Sequence, residues 1–458
     1  MPKPRHRSSG RHARRQPQRY PLPPAQSLLI ERISHDGRGI AYWQGKSVFV
    51  TGALPGEEVW AHFSSHSARF AEAVAERILL ASDRRIEPRC GHFGQCGGCQ
   101  LQYVSAAEQL SIKQTQVLDQ LSRLAAVVPE QVMPALSAHP WGYRQQARLG
   151  IWKAEAEPVV LGFRRRQSRE LLDIEECPVL APELAVLLAP LRELLLRWAD
   201  ASLTHLSVAQ IGDDCGLTLR HTRSLQPGLV KALRLFAVEH GCQFWLQGSA
   251  DAYGLTDLDG IAVDPRLYYT LPDFSCRFAV HPSDFMQING AVNEQMVKQA
   301  IDWLAPQPHE QLLDLFCGLG NFTLPLARFA GGVIGVEATT AMVSRGEENA
   351  VLNGLEKVQF RAADLTRASV QSLLPHGETI DAMLLDPPRS GAREVCAQMS
   401  QLNPQRLLYV SCNPATLARD AGLLLDQGYH LQQLGILDMF PHTSHVETMA
   451  LFVRQKRK

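Results

Sequence analysis

A cysteine at the end of an apolar strand is the side chain best placed for chemistry in this sequence. Cys412 follows the apolar run 407–411 and precedes Asn413-Pro414, so a predicted strand ends where a turn begins. A cysteine thiolate is a strong nucleophile when a proton acceptor lies nearby. In an open α/β sheet, ligands bind at the carboxyl ends of the strands. The sequence therefore predicts a nucleophile at the ligand-binding edge of a sheet.

A glycine loop lies earlier in the same region. A predicted strand opens into Gly318 and Gly320, and Glu337 ends the next predicted strand. Glycines allow the backbone to approach a nucleotide-like cofactor, and a carboxylate at the following strand end suits ribose hydroxyls. A nicotinamide site is disfavoured, because Thr323 stands where the third glycine of G-x-G-x-x-G would be.

A compact group of cysteines indicates metal chemistry. Cys90, Cys96 and Cys99 lie within ten residues that are rich in glycine, and Cys177 precedes a proline, as the last ligand of an iron–sulfur cluster often does. Zinc also binds four thiolates, so the spacing alone leaves both metals open.

These motifs resemble those of the RNA uracil-C5 methyltransferases, which use S-adenosyl-L-methionine (AdoMet). The phrases that carry the resemblance are 312–321, Asp386-Pro387-Pro388-Arg389, 407–414 and 442–448. Enzymes that methylate amino groups place an aromatic residue after Asp-Pro-Pro, whereas Arg389 stands there in this chain. The resemblance implies that Cys412 is the nucleophile.

The resemblance also assigns further residues. It implies that Glu447 is the general base that removes the C5 proton. It implies a [4Fe–4S] cluster held by Cys90, Cys96, Cys99 and Cys177. The residues that it places around AdoMet are Gln287, Phe316, Asn321, Glu337, Asp364 and Asp386.

The chain divides into predicted domains of different character. Residues 1–21 form a basic arm, 22–80 a small β-barrel, 81–284 a central α+β domain with the cluster and an RNA-binding surface, and 285–458 the catalytic domain. The barrel resembles a TRAM domain, an OB-like RNA-binding module; an unrelated SH3-like barrel is the alternative. In the last domain, seven predicted strands alternate with helices, which indicates a Rossmann-like, doubly wound sheet.

Composition fits a cytoplasmic protein that binds RNA. The chain of 458 residues has no net charge, yet residues 1–19 carry seven Lys/Arg and no acid, so the other residues carry a net charge of −7. We expect this arm to contact nucleic acid or to act as a solubilising tail. No segment has the length and apolarity of a signal peptide or a membrane span, so we expect no membrane partner. We also expect a monomer.

Two questions about the target stay open on sequence alone. The resemblance implies a member that modifies 23S rRNA, because a related tRNA enzyme of the family lacks both the barrel and the cluster, and another relative keeps the cluster but lacks the barrel. A dual-site 23S rRNA or tRNA uracil-C5 methyltransferase is one alternative. An RNA-binding ribosome-assembly factor with an inactive methyltransferase fold is another, which the presence of both Cys412 and Glu447 disfavours.

Overall fold

The computed structural model describes residues 20–154, 157–248, 254–374 and 379–454. The predicted basic arm falls almost entirely on residues 1–19, outside the described residues. Contacts divide the chain into two compact units, Met1–Arg85 and Ile86–Lys458. Each unit is described by itself.

The first unit contains a small closed sheet. Strand β1 pairs with β5, and β2 pairs with β3. Ile30 and Glu31, which connect β1 to β2, donate their N–H groups to the carbonyl oxygens of Glu57 and Ile40. The sheet therefore closes on itself, and alternate residues such as Val48 fill its interior. The predicted small barrel is confirmed. Its strands are β1 Gln26–Leu29, β2 Arg32–Ile33, β3 Gly39–Trp43, β4 Lys46–Thr51, β5 Glu58–His66 and β6 Phe70–Leu80.

The second unit begins with the cysteine loop and a long helix. Ser105 is the N-cap of helix α1, Ala106–Ala125, because its side chain accepts from the Glu108 N–H. Its apolar face, which includes Val117, packs in the same core cluster as Leu417 near the C-terminus. Strand β7, Gln131–Val132, also joins the C-terminal sheet.

A mixed sheet follows, in the order β10-β9-β8-β11-β12-β13-β14-β15. Helices α3 and α4 cover one face of it, where Leu191 and Leu233 join the sheet's core cluster. The hairpin β16–β17 leads into the last region. The strands are β8 Gln146–Trp152, β9 Val160–Arg164, β10 Leu171–Asp173, β11 Leu203–Ile211, β12 Asp214–His221, β13 Cys242–Gly248, β14 Leu255–Thr256, β15 Ala262–Val263, β16 Leu267–Leu271 and β17 Cys276–Val280; the helices are α2 Pro182–Ala185, α3 Leu188–Trp198 and α4 Pro227–His240.

The C-terminal sheet has the order β20-β19-β18-β21-β22-β24-β23-β7. Alternate residues of β18 enter core clusters on opposite faces, Leu312 on one and Leu313 on the other, so the sheet is covered on both sides. The strands are β18 Gln311–Leu315, β19 Gly332–Glu337, β20 Val358–Ala362, β21 Ala382–Leu385, β22 Arg406–Ser411, β23 Tyr429–Leu437 and β24 Glu447–Arg454; the helices are α5 Gly290–Leu304, α6 Thr323–Ala327, α7 Thr340–Leu352, α8 Arg393–Ala397, α9 Met399–Leu402 and α10 Pro414–Leu425.

This architecture confirms the Rossmann-like, doubly wound sheet. All seven predicted strands are present, and β7 adds a short eighth strand that was not predicted. Helix α1 and strand β7 precede residue 285 yet pack on this sheet. The predicted catalytic domain 285–458 therefore does not contain every element of the sheet and its covering helices, and the domain limits stay predictions. No helix in the described ranges is long and apolar enough to cross a membrane.

Candidate active site

Most of the predicted site residues lie along one edge of the C-terminal sheet. Strands β20, β19, β18, β21 and β22 are parallel, so their carboxyl ends meet at this edge. Strand β24 runs antiparallel to β22, so its first residue lies at the same edge. The residues that end, closely follow or begin these strands are Phe316, Asn321, Glu337, Asp364, Asp386, Cys412 and Glu447.

Cys412 and Glu447 are neighbours at this edge. Ser411, the last residue of β22, is directly opposite Thr448 of β24. Cys412 follows the first of these residues and Glu447 precedes the second, so the two side chains adjoin across the ladder. The Glu447 charge also acts on the Cys412 thiol. The strand register thus brings a thiol beside a carboxyl group, and covalent catalysis requires a nucleophile and a proton acceptor of these kinds.

The turn after Cys412 is held firmly in place. Asn413 caps helix α10, because its side-chain oxygen accepts from the Ala415 N–H at 3.1 Å. Its side-chain nitrogen donates to the Arg389 carbonyl at 3.0 Å. Cys412 is therefore fixed between a strand end and a helix N-terminus, a position that favours a negative charge on sulfur.

Burial raises the pKa values of Cys412, Glu447 and Asp386. Burial, followed by the charges of Glu447 and Asp386, raises the pKa of the Cys412 thiol to about 11. Burial and then Asp386 raise the pKa of Glu447 to about 8, and Glu447 is 8% exposed. Burial raises the pKa of Asp386 to about 7. Arg389 lowers the pKa of both Cys412 and Glu447, so it is the cation that favours their ionised forms.

The glycine loop after β18 closes against Glu337. The Gly318 N–H donates to one carboxylate oxygen of Glu337 at 3.3 Å, and the Thr339 N–H donates to the other at 3.0 Å. Phe316 and Gly320 have positive φ angles of 64° and 98°. At Gly320 a Cβ atom would also lie 3.0 Å from Phe360, so the loop requires glycine there.

The other predicted AdoMet residues differ in their surroundings. Asn321 exchanges two hydrogen bonds with Asn293 of α5 and accepts a third from the Tyr269 hydroxyl at 3.1 Å. Asp364 is exposed and accepts from the hydroxyl and N–H of its neighbour Thr366. Gln287 is half-buried in the segment before α5, outside the sheet edge.

Sequence reasoning missed Asp314, a buried acid beneath the glycine loop. Asp314 is fully buried in β18, and its Oδ2 accepts from the Thr323 hydroxyl at 2.6 Å. Burial raises its pKa to about 8. The signal was available, because an aspartate inside an apolar strand is unusual. Thr323 stands where the third glycine of G-x-G-x-x-G would be, and its hydroxyl is the hydrogen-bond donor to this acid.

The four predicted cluster cysteines line one cavity in the second unit. The cavity has a volume of about 440 Å³ and includes Cys90, Cys96, Cys99 and Cys177 in its wall. The Gly97 N–H donates to the Arg164 carbonyl at 2.9 Å, and a Cβ atom at Gly97 would lie 3.0 Å from that oxygen. The loop therefore packs tightly against the end of β9.

Basic residues share this cavity. The wall includes Tyr143, Arg144, Arg148, Arg164 and Arg165, which lie in the central domain where the RNA-binding surface is predicted. Among the described residues, no group of three or more His, Cys, Asp or Glu side chains is arranged to hold a metal ion.

Comparisons with known proteins identify two regions. Residues 270–455 match the family model described as tRNA (Uracil-5-)-methyltransferase, and residues 25–74 match the TRAM domain. The TRAM prediction for the barrel and the methyltransferase prediction for the C-terminal sheet are confirmed.

Relatives match over nearly the whole chain. The 23S rRNA (uracil(1939)-C(5))-methyltransferase RlmD of Pseudomonas syringae pv. tomato is 45% identical over 433 residues, which cover 93% of each chain. The protein of the same name from Hahella chejuensis is 43% identical over 434 residues, covering 92% of this chain and 96% of the relative.

A solved structure has the same fold. It is the crystal structure of a Pyrococcus abyssi tRNA (uracil-54, C5)-methyltransferase in complex with S-adenosyl-L-homocysteine. The TM-score is 0.72 at 22% identity, with 93% of this chain and 100% of that chain covered.

Proposed function

Because the chain belongs to the family of 23S rRNA (uracil-C5)-methyltransferases, we propose that it transfers a methyl group from AdoMet to C5 of one uridine in 23S rRNA. The target that we propose is the uridine equivalent to uracil 1939, which the relatives' names specify. The observation that carries the proposal is the adjacency of Cys412 and Glu447 at the sheet edge that also bears the glycine loop.

The proposed chemistry starts with addition of sulfur to the base. C5 of uracil is a poor nucleophile, so the Cys412 sulfur adds to C6 and C5 gains enolate character. C5 then takes the methyl group from the AdoMet sulfonium. Glu447 removes the C5 proton, and the C6–sulfur bond breaks to restore the aromatic ring and the free thiolate. No net electrons are transferred in this cycle.

The charges at the site suit this order of events. Cys412 must lose a proton before attack, and the ionised form is favoured by Arg389 and by the α10 N-terminus. Glu447 must be ionised when it accepts the C5 proton, and burial, which raises its pKa to about 8, disfavours this form in the free protein. The positive sulfonium of AdoMet would favour both ionised groups when it is bound nearby.

We propose the following division of roles around AdoMet. Glu337 would accept from the ribose hydroxyls, because it ends β19 against the glycine loop. Asp364 comes two residues after β20. The N–H of the preceding residue, Ala363, donates to the Glu337 carbonyl, so Asp364 lies beside Glu337 in the chain path and would contact the adenine end of AdoMet. We also propose that Phe316, Asn321, Asp386 and Gln287 contact AdoMet, as the family resemblance implies.

We propose that Cys90, Cys96, Cys99 and Cys177 hold a [4Fe–4S] cluster. The support is that all four thiols line one cavity and that Cys177 precedes a proline, as the last ligand of an iron–sulfur cluster often does. The cluster would supply structural order to the loop 90–99.

The partner that we propose for the basic wall of this cavity is the RNA. Arginine suits phosphates and stacked bases, and Arg144, Arg148, Arg164 and Arg165 lie together there. We propose a cytoplasmic location, because the proposed substrate is rRNA, and we expect no membrane partner. The monomeric state stays a prediction.

A single assay tests the function. Purified protein would be incubated with labelled AdoMet and unmodified 23S rRNA, and mass spectrometry would locate the methylated nucleotide. We expect 5-methyluridine at one site, and none in tRNA. Methylation at two rRNA sites or in tRNA would favour the dual-site alternative, and RNA binding without methylation would favour the assembly factor.

A further inference from the structure

The loop that connects β23 to β24 ends at the proposed base. This loop, residues 438–446, leaves the sheet after Leu437 and returns at Glu447, and these two residues are paired. Glu447 is the first residue of its strand, so the loop sets the direction from which its side chain enters the site. Strand ends open locally more easily than strand centres, so a contact that fixes the loop would also fix the base.

Two buried polar residues of α1 hold this loop. Lys113 is fully buried, and its Nζ donates to Asp438 Oδ1 at 2.6 Å and to the Phe440 carbonyl at 3.1 Å. Gln109 is also fully buried, and its Oε1 accepts from the His442 N–H at 2.7 Å. Residues four apart lie on one face of a helix, so α1 presents both groups to the loop together.

The middle of the loop has a constrained backbone. His442 has a positive φ of 65°, which is unusual for a residue with a side chain. Its ring stacks on Trp141 with 3.8 Å between the ring centres. The Tyr143 hydroxyl donates to the Pro441 carbonyl at 3.0 Å. The surroundings therefore impose one conformation on the loop.

The same loop is tied to the cysteine motif. The N–H groups of Gln100 and Leu101, which directly follow Cys99, both donate to the His442 carbonyl, at 2.8 and 2.9 Å. Gln109 donates in turn to the Leu101 and Val104 carbonyls. The segment from Cys99 to Lys113 is therefore one continuous support for the loop.

Burial of these polar groups needs a reason beyond stability. A buried amide and a buried ammonium are costly to desolvate, and apolar side chains of similar size would pack at less cost. Every hydrogen-bond partner given above for Gln109 and Lys113 lies in the loop or between residues 101 and 104. Their polarity is thus used to fix the loop.

We infer that Gln109 and Lys113 are positioning residues for Glu447: they hold the loop 438–446 so that the base meets the C5 proton. This inference rests on the proposed function, in which Cys412 attacks and Glu447 completes the cycle. Loss of either contact should slow release of the product and leave the attack of Cys412 intact. Misplacement of a catalytic group by about 1 Å can cost about 100-fold in rate.

The test compares two RNA substrates on the full-length holoenzyme. With uridine RNA and labelled AdoMet, Gln109→Leu and Lys113→Met should turn over at least about tenfold more slowly and accumulate a methylated protein–RNA adduct. With 5-fluorouridine RNA, which has no C5 proton to remove, both variants should form the adduct within about twofold of the wild-type rate, because Glu447 is not needed. The Kd for AdoMet should also stay within about twofold.

Further variants separate positioning from loss of folding. Lys113→Met/Asp438→Leu removes both charges, so no buried charge is left alone, and it should still accumulate adduct on uridine RNA. Val117→Ala truncates a buried residue of the same helix that carries no hydrogen-bonding group, and it should lower Tm without accumulating adduct. Glu447→Gln is the benchmark for stalled release.

The outcomes are distinguishable. If Glu447→Gln accumulates adduct and the Gln109 and Lys113 variants do not, the inference is overturned and the proposed mechanism stands. If the variants lose the 5-fluorouridine reaction in parallel with turnover, the two residues support the fold only, which also overturns the inference. If Glu447→Gln accumulates none, the covalent mechanism fails and the inference falls with it.

Discussion

Cys412 and Glu447 adjoin across the β22–β24 ladder, one residue beyond the Ser411–Thr448 pair. Because β24 is antiparallel to its neighbour, a strand beginning and a strand end meet at the same edge. This arrangement brings residues 35 positions apart in sequence to adjacent places at one edge of the sheet. A parallel strand in the place of β24 would have put its first residue at the opposite edge of the sheet.

Substitution of the two residues should stop the reaction at different steps. Cys412→Ala should abolish methyl transfer while AdoMet still binds, because C5 is never activated. Glu447→Gln should permit attack and methylation but stall release, since an amide cannot accept the proton. Denaturing electrophoresis with methyl-labelled AdoMet would detect the stalled adduct with Glu447→Gln only.

A fluorinated substrate provides the control. RNA with 5-fluorouridine at the target should trap the wild-type protein in a denaturant-stable adduct, because there is no C5 proton to remove. Turnover by Cys412→Ala, together with no trapping of the wild type, would show that Cys412 is only a packed strand end.

The pH dependence of turnover should report on Arg389. Glu447 acts as a base only when ionised, and its pKa of about 8 predicts that kcat rises with pH through that value. Arg389 lowers the pKa of Glu447 and of Cys412. Arg389→Met should therefore move the rising limb of the kcat profile to higher pH, measured at saturating RNA.

A matched variant makes this measurement specific. Arg393 is an exposed arginine on α8, four residues further along the chain. Arg393→Met removes the same charge and should leave the rising limb in place. Equal shifts in both variants would mean that overall charge, and not Arg389, sets the profile.

The sequence was sufficient to predict the catalytic sheet and its edge. Strands β18, β19, β21 and β22 are buried, parallel and almost continuously apolar, so they could be located in the sequence, and the polar residues after them mark the ligand edge. Cys412, Glu337 and Asp386 each follow such a run. Their shared edge is therefore a consequence of topology alone.

Other features depend on contacts that no local pattern encodes. Strand β7 has two residues, too few for any periodicity to appear. Gln109 and Lys113 look like exposed residues of an amphipathic helix, because their partners in the loop 438–446 lie more than 320 positions later in the chain. Asp314 could be located but its raised pKa could not, since that depends on burial under the glycine loop.

The cysteine cavity predicts a metal content that can be measured. Protein purified without oxygen should be brown and contain about four irons per chain, as a [4Fe–4S] cluster requires. Cys96→Ala should lose the iron and much of the soluble protein, because the loop 90–99 would lose its organising centre. Cys215→Ser, which changes a half-buried cysteine outside the cavity, should keep the iron. One zinc per chain and no iron would contradict the proposal.

The first unit should contribute to RNA affinity without taking part in chemistry. Removal of residues 1–85 should weaken binding of an rRNA fragment and reduce the dependence of Kd on salt, because the lost Lys and Arg no longer displace counterions from phosphates. Binding titrations at several salt concentrations would measure the slope. An unchanged slope would show that these residues do not contact phosphates.

The buried acid Asp314 should make stability depend on pH. Its folded-state pKa of about 8 lies above the value of about 3.9 expected in the unfolded chain, so the folded state binds its proton more tightly. The contribution of this group to the free energy of unfolding is therefore complete below about pH 4 and is lost as pH rises to about 8.

An asparagine at position 314 keeps an oxygen that accepts from Thr323 and cannot ionise. The stability of Asp314→Asn relative to the wild type should thus increase from pH 5 to about pH 8 and then level off, as followed by Tm across that range. Asp302→Asn, at an exposed position of α5, should show no such trend. A constant difference between Asp314→Asn and the wild type at every pH would mean that Asp314 is ionised in the folded protein throughout.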